Sequence, residues 1–248
     1  MNTLHKRITE AFEVYQNDLN ALEQMITAFH NILILDIGNA ANRINAKLKK
    51  VSEFYFEETW DSSEVITSAL DLVFSELEAE QDDFQDEVDK LNSSLKLMQR
   101  NYKEFILPQG IVLLVSSLEL FLATIFKNLL RAKLRGVNEY AVNNICRGVN
   151  FQNWGSTIDA YRTFLDIDFN KSSINRRMIV EIQQERHIIV HRRGLLDEKS
   201  LKLLGVSKKQ VGRRLKFSED SIYKAISLFS ESGKVIHEIA EQKIWDGI

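Results

Sequence analysis

The reactive groups of this 248-residue chain gather in one run, Glu185-Arg186-His187-Ile188-Ile189-Val190-His191-Arg192-Arg193-Gly194, where two of the five histidines and three arginines fall within eight residues. Histidine titrates near neutrality and can move a proton; arginine stays charged and offers a planar fork of donors to a phosphate. RNA is cut without a metal when its own 2′-OH attacks the neighbouring phosphate. That reaction needs a group to move protons and a cation beside the developing negative charge. Five steps of roughly 100° set Arg186 and His191 about 140° apart on an ideal helix, so one copy does not align them on one face. Either the helix ends between them, or two copies meet at a twofold axis and build one site from both motifs; the dimer is the expected arrangement.

The same residues admit other chemistry. His187 and His191 are i, i+4 neighbours, the spacing of metal-binding helices, but the zincin pattern wants Glu directly after the first histidine. Ile188 stands there, and Arg186 puts a positive charge beside the first ligand, so no metal is expected. Cations at a helix C-terminus also offset the helix dipole at ~0.3–1 kcal/mol each, which is the purely structural reading. Cys146, the only cysteine, lacks any local signature of a catalytic thiol and reads as inert. No Gly-rich phosphate loop, Walker pattern, dinucleotide fingerprint or paired-cysteine site is present, so no cofactor is expected.

Arginine followed by a polar residue and, five positions on, a histidine is the R-x4-H signature of the HEPN superfamily, matched here by Arg186-His187 and His191. The basic pair, glycine, aliphatics and acid of Arg192-Arg193-Gly194-Leu195-Leu196-Asp197 and the Leu118-Glu119 pair in an earlier apolar helix extend the match. The chain thus resembles the HEPN-like ribonucleases (RiboL-PSP-HEPN-like families), over residues 100–245 more than over 1–100. The resemblance implies an all-helical bundle, a homodimer and metal-independent endoribonuclease activity. In it Arg186 and His191 are the catalytic pair, with His187, Glu119, Arg192 and Arg193 in support. It further implies a toxin or anti-phage defence effector restrained by an antitoxin or other regulatory protein. The family also contains inactive binding modules.

These residues must be positioned by helices. One proline in 248 residues argues for an all-α fold, because proline costs ~3 kcal/mol in a helix interior and turn-rich sheet proteins use many more. Leu4, Ile8, Ala11, Tyr15, Leu19, Leu22, Ile26, Phe29 and Leu33 lay a stripe along a first long helix, expected to end near Gly38-Asn39. Asp61-Ser62-Ser63-Glu64 reads as the next start, of a helix over 64–105 with an acidic exposed face. Pro108-Gln109-Gly110 reads as a break, after which a helix over 111–134 is apolar nearly all round and belongs at the centre of a bundle. Its apolar run is shorter than the ~20 residues of a membrane span. Glu119 within it needs a cationic or hydrogen-bonding partner from another helix, whether for structure or for the site. Shorter helices are expected over 139–146, 154–165 and 172–191, and a last one opens at Ser218-Glu219-Asp220 and runs to Lys243.

Charge divides the chain. Residues 1–107 hold ten Lys and Arg against twenty Asp and Glu, a balance of −10, and residues 108–248 hold 22 against 15, a balance of +7. We therefore expect an acidic helical region over 1–107, packed on or extending a basic core over 108–248. Lys127, Arg131, Lys133 and Arg135 form one basic cluster. Arg176, Arg177, Lys208, Lys209, Arg213 and Arg214, with Lys216, are expected to track RNA phosphates, with affinity falling steeply with salt. The lone cysteine and the absence of a leader-like opening predict a cytoplasmic protein, and no membrane partner. Two readings compete with the enzyme: a non-catalytic helical module that binds RNA or protein, and an oligomeric scaffold held by the long N-terminal helices.

Overall fold

With so little proline to interrupt them, the helices run long. The computed structural model describes residues 2–56, 85–86, 89–90, 92–135, 138–205 and 207–247. All-α character is plain: among the described residues there is no strand, only an isolated antiparallel bridge between Leu195 and Arg214. The helices are α1 (Asn2–Phe56), α2 (Leu107–Lys133), α3 (Glu139–Gly148), α4 (Trp154–Leu165), α5 (Arg176–Arg192), α6 (Glu198–Leu204) and α7 (Glu219–Trp245).

Two boundaries differ from the sequence reading. The first helix passes through Gly38-Asn39 and continues to Phe56. One interior glycine costs about 1 kcal/mol, and no proline follows to enforce a stop. The other is Pro108, which starts no new helix: it lies inside a continuous helix, Asn92–Lys133, immediately after a π-turn at Tyr102–Ile106. Pro108 has no N–H for the carbonyl four residues back, and the ladder around it is already shifted by the π-turn, so the helix tolerates it at the first turn after the register change. The expected start at Asp61 lies outside the described residues, as does most of the acidic run 64–105.

The chain divides into two compact units, Met1–Ile26 with Lys103–Ile248, and Thr27–Tyr102. In the first, α2 is central and packs against α3, α4, α5 and α7. Fourteen of its 27 residues are buried, which accounts for an apolarity that by length and composition alone would suffice to cross a membrane. The start of α1 buries Ile8, Tyr15, Leu19, Leu22 and Ile26, each burial contributing about 1.5–3 kcal/mol. Tyr15 stacks on Phe121 with ring centroids 4.6 Å apart and donates its hydroxyl to the Phe229 carbonyl at 2.8 Å. Gly233 of α7 makes room for that ring, since a Cβ there would lie 2.4 Å from Tyr15 Cε1.

Aromatic packing fixes α4. The buried Tyr161 donates to the Leu122 carbonyl of α2 at 2.7 Å, and its ring lies 5.3 Å from that of Phe126 and 4.8 Å from that of Phe169. Trp154, at the first turn of α4, packs on Phe169 at 6.2 Å. The N-terminus of α4 is thereby held beside α5. The described parts of the second unit are helical: the remainder of α1 and the stretch leading into the π-turn.

Candidate active site

The R-x4-H run lies on the last turns of α5. Asn175 caps the start of this helix by accepting from the Met178 N–H at 3.3 Å, and Ile179, Ile182 and Gln183 bury its inner face. Arg186 continues that face. Its side chain is half-buried, and its Nε has no hydrogen-bond acceptor within the protein. Across from it on α2 stands Glu119, whose buried Oε1 is likewise without a donor. Burial pushes the Glu119 carboxyl above its usual range, and the Arg186 charge pulls it back. The two are electrostatic neighbours that stop short of an ion pair, and Glu119 has the cationic neighbour that its place in an apolar helix demands.

α5 does not end between Arg186 and His191; it runs unbroken to Arg192. It closes with the Arg193 and Gly194 N–H groups both on the Ile188 carbonyl, the latter at 3.0 Å. Arg193 takes the left-handed position at φ 53°, where glycine is usual and a side chain costs about 1–2 kcal/mol. Gly194 follows at φ 79°, and a Cβ there would meet Arg214 Cγ at 3.3 Å. The next residues pair with the segment before α7, Leu196 N–H to Arg213 O at 2.9 Å and Leu215 N–H to Gly194 O at 2.8 Å. Ile188, Leu196 and Leu201 bury a small core beneath this connection.

Arg186 and His191 nonetheless line the same cleft within one chain. It measures about 530 Å³ and lies between the outer face of α5 and the N-terminus of α4, and His187, Arg192 and Lys199 also line it. Asn150, Asn153, Trp154 and Gly155 form the facing wall, and among the described residues no Asp or Glu lines the cleft. The rings of His187 and His191 lie 4.7 Å apart. Burial lowers the His187 pKa, and the charges of His191, Arg192, Arg186 and Lys199 lower it further, so this imidazole favours its neutral form. Arg192 forms an ion pair with Asp197 and reaches Ser200 Oγ at 3.5 Å, which orients its guanidinium. Arg193 is exposed on the cap.

The remaining basic residues are dispersed. Arg176 and Arg177 line a hollow of about 770 Å³ that shares Trp154, Gly155 and Val180 with the cleft and also holds Lys202. Arg177 pairs with Glu181 at 2.9 Å, and Arg176 donates to Asn170. Lys208 and Lys209 sit on a 3-10 turn, Arg213 is exposed, and Arg214 pairs with Glu104 at 3.3 Å. Lys209, Arg213 and Arg214 do not line the cleft. Arg131 of the other basic cluster is bound to Glu139. Cys146 lies elsewhere, half-buried, its thiol raised by burial against the pull of Lys127 and Arg131. Among the described residues no group of three or more His, Cys, Asp or Glu is arranged to hold a metal ion.

Several contributors were not legible as site residues in the sequence. Gln183 is buried; its Oε1 accepts from the Trp154 N–H at 3.1 Å, which leaves its Nε2 with no acceptor in the protein. Trp154 Nε1 is buried and unpaired in the same way. The one available signal was Asn153, a residue that favours helix N-caps, just ahead of the α4 pattern. Glu185, outside the cleft, is pushed up to about 7 by burial and then by Glu181.

Comparison with known proteins finds no matching family model, no similar curated protein and no similar solved structure. The HEPN resemblance therefore stands on the motif residues themselves. Chemically, the cleft offers a neutral imidazole, a second imidazole in ring contact with it, and guanidinium groups, all facing a space without carboxylates. Such a surface can bind an anion and transfer a proton next to it.

Proposed function

We propose that the protein is a metal-independent endoribonuclease of HEPN type, cutting RNA by 2′-OH attack on the adjacent phosphate. What carries this reading is one observation: a single cleft brings Arg186, His187, His191, Arg192 and Lys199 together, and no carboxylate lines it. A phosphodiester placed there meets Arg186 and Lys199, neither of them held in an ion pair among the described residues, beside an Arg192 oriented by Asp197. In this mechanism the guanidinium of Arg186 faces the non-bridging oxygens as charge develops on them. Neutral His187 takes the 2′-OH proton, and His191, in its protonated form, gives one to the leaving 5′ oxygen as the P–O5′ bond breaks. The products are a 2′,3′-cyclic phosphate and a 5′-OH end.

The proposed active form is a homodimer, and the proposed role is that of a toxin or defence effector in the cytoplasm, restrained by a partner protein. Both extensions rest on the family resemblance. The activity is tested by incubating the purified protein with RNA in excess chelator. Wild type should cut and leave the cyclic phosphate, whereas Arg186→Ala and His191→Ala should not. Cleavage at the wild-type rate by either variant would overturn the assignment. RNA binding without cleavage by wild type would make the chain a binding module instead.

A further inference from the structure

The cleft has a second wall that the cleavage chemistry leaves unused. α4 is a twelve-residue helix whose N-terminus opens into it. Of its first three N–H groups, that of Trp154 goes to Gln183 Oε1 and that of Ser156 to Asn153 Oδ1 at 3.0 Å, leaving that of Gly155 at the cleft surface. Such an end carries partial positive charge and outward-pointing donors, the usual seat for phosphate groups.

Two further donors belong to residues that line the cleft beside this end. Gln183 is 6% exposed and Trp154 3%, both line the cleft, and Gln183 Nε2 and Trp154 Nε1 each lack an acceptor in the protein. The orientation of the Gln183 amide is not free, since its oxygen is committed to the backbone of Trp154. A buried donor without an acceptor costs about 1–3 kcal/mol, and two together at a helix N-terminus make sense when a ligand supplies the oxygens. All the groups concerned are donors, which selects an anion rather than a sugar or a base.

We propose that Gly155 N–H, Gln183 Nε2 and Trp154 Nε1 form a phosphate subsite next to Arg186 and His191. The identity of its occupant, a phosphate of the RNA strand flanking the one that is cut, rests on the ribonuclease reading; the anion site itself does not. The subsite fixes where along the strand the reacting phosphate falls, because a second phosphate must be seated at the α4 end.

The test uses the ¹⁵N-labelled full-length protein, titrated with inorganic phosphate and, separately, with a 2′-deoxy dinucleotide that cannot be cleaved. Trp154→Phe, which keeps the ring and removes the N–H, identifies the Trp154 indole resonance. The indole N–H and the Gln183 side-chain amide should shift saturably with both probes. Gln183→Glu keeps the oxygen that accepts from Trp154 but replaces the donor, and should weaken phosphate binding at least roughly tenfold. If that variant does not fold, Trp154→Phe should itself weaken binding roughly tenfold, read at the Gln183 amide. Resonances that stay still, or Gln183→Glu binding as wild type does, would overturn the subsite even if the enzyme cuts RNA. Saturable phosphate shifts in a wild type that cuts nothing would overturn the nuclease and uphold the subsite. A response to phosphate but not to the dinucleotide would overturn the strand as its occupant.

Discussion

The molecule uses pairs of histidines in two opposite ways. Where α1 meets α7, His5 and His237 flank Glu241, with Nδ1 of His5 at 3.1 Å and Nε2 of His237 at 3.4 Å from the same carboxylate oxygen. Phe12 stacks on His237 at 4.5 Å. In the cleft, His187 and His191 touch each other and face Arg186, Arg192 and Lys199 with no carboxylate lining the space. The first pair has a carboxylate between its rings, and the His5–Glu241 contact joins α1 to α7, while burial favours the neutral form of His237. The second has only cations acting on His187, with the acids Asp197 and Glu119 set against Arg192 and Arg186 rather than against the imidazoles. The presence or absence of the neighbouring acid, more than the histidine itself, separates the structural pair from the reactive one.

The largest effect should fall on the cleft. Arg186→Ala and His191→Ala should each lower the rate of RNA cleavage by about 10²–10⁴, measured on a labelled oligonucleotide, while His5→Ala and His237→Ala leave it within about threefold. Equal losses at both pairs would erase the distinction. The α1–α7 side is probed through its packing. Gly233→Ala gains about 1 kcal/mol of helix propensity but forces a methyl group into the Tyr15 ring, so unfolding in urea should show a net loss of roughly 1–3 kcal/mol.

A third test uses pH. Glu185 has a folded pKa of about 7 against an ordinary value of 4.5, so it binds its proton more tightly in the folded protein. The stability associated with that proton is complete below about pH 4.5 and is lost as the pH rises through about 7. Glu185→Gln should therefore add roughly 1–2 kcal/mol at pH 8, discounted for partial exposure, and nothing at pH 4; a gain equal at both values would sink the explanation. The smallest effect belongs to the adjoining hollow. Arg177 is tied to Glu181, so Arg177→Ala should reduce the salt slope of RNA binding by about one or less.

Much of this architecture was legible in the sequence because helical periodicity is a local property. The α4 range 154–165 matches its helix end to end, and Glu119 declared its need for a cation from the apolarity of its neighbours alone. Gly38 and Pro108 misled because their costs are local, whereas the decision to continue a helix sums over many residues; Pro108 follows directly on a π-turn, where the register is already shifted. The angular argument about Arg186 and His191 was sound for Cα positions, but a long arginine side chain can reach a cleft that its Cα does not face. Gln183 and Trp154 were invisible for another reason. Their roles depend on bringing α4 against α5, a contact between residues 29 positions apart.

The bridge between Leu195 and Arg214 gives the region after α5 a particular independence. Gly212 N–H to Leu196 O at 2.8 Å, with the neighbouring bonds to Gly194 and Arg213, pins the two ends of residues 197–211 together. That stretch carries Lys199 to the cleft and Lys202 to the hollow, and Leu201 anchors it from below. It forms a closed loop held to the helix that bears Arg186 and His191 through Asp197, Ser200 and Leu201. On the nuclease reading proposed above, substitutions at Lys199 and Lys202 should alter RNA preference more than they alter the cleavage step.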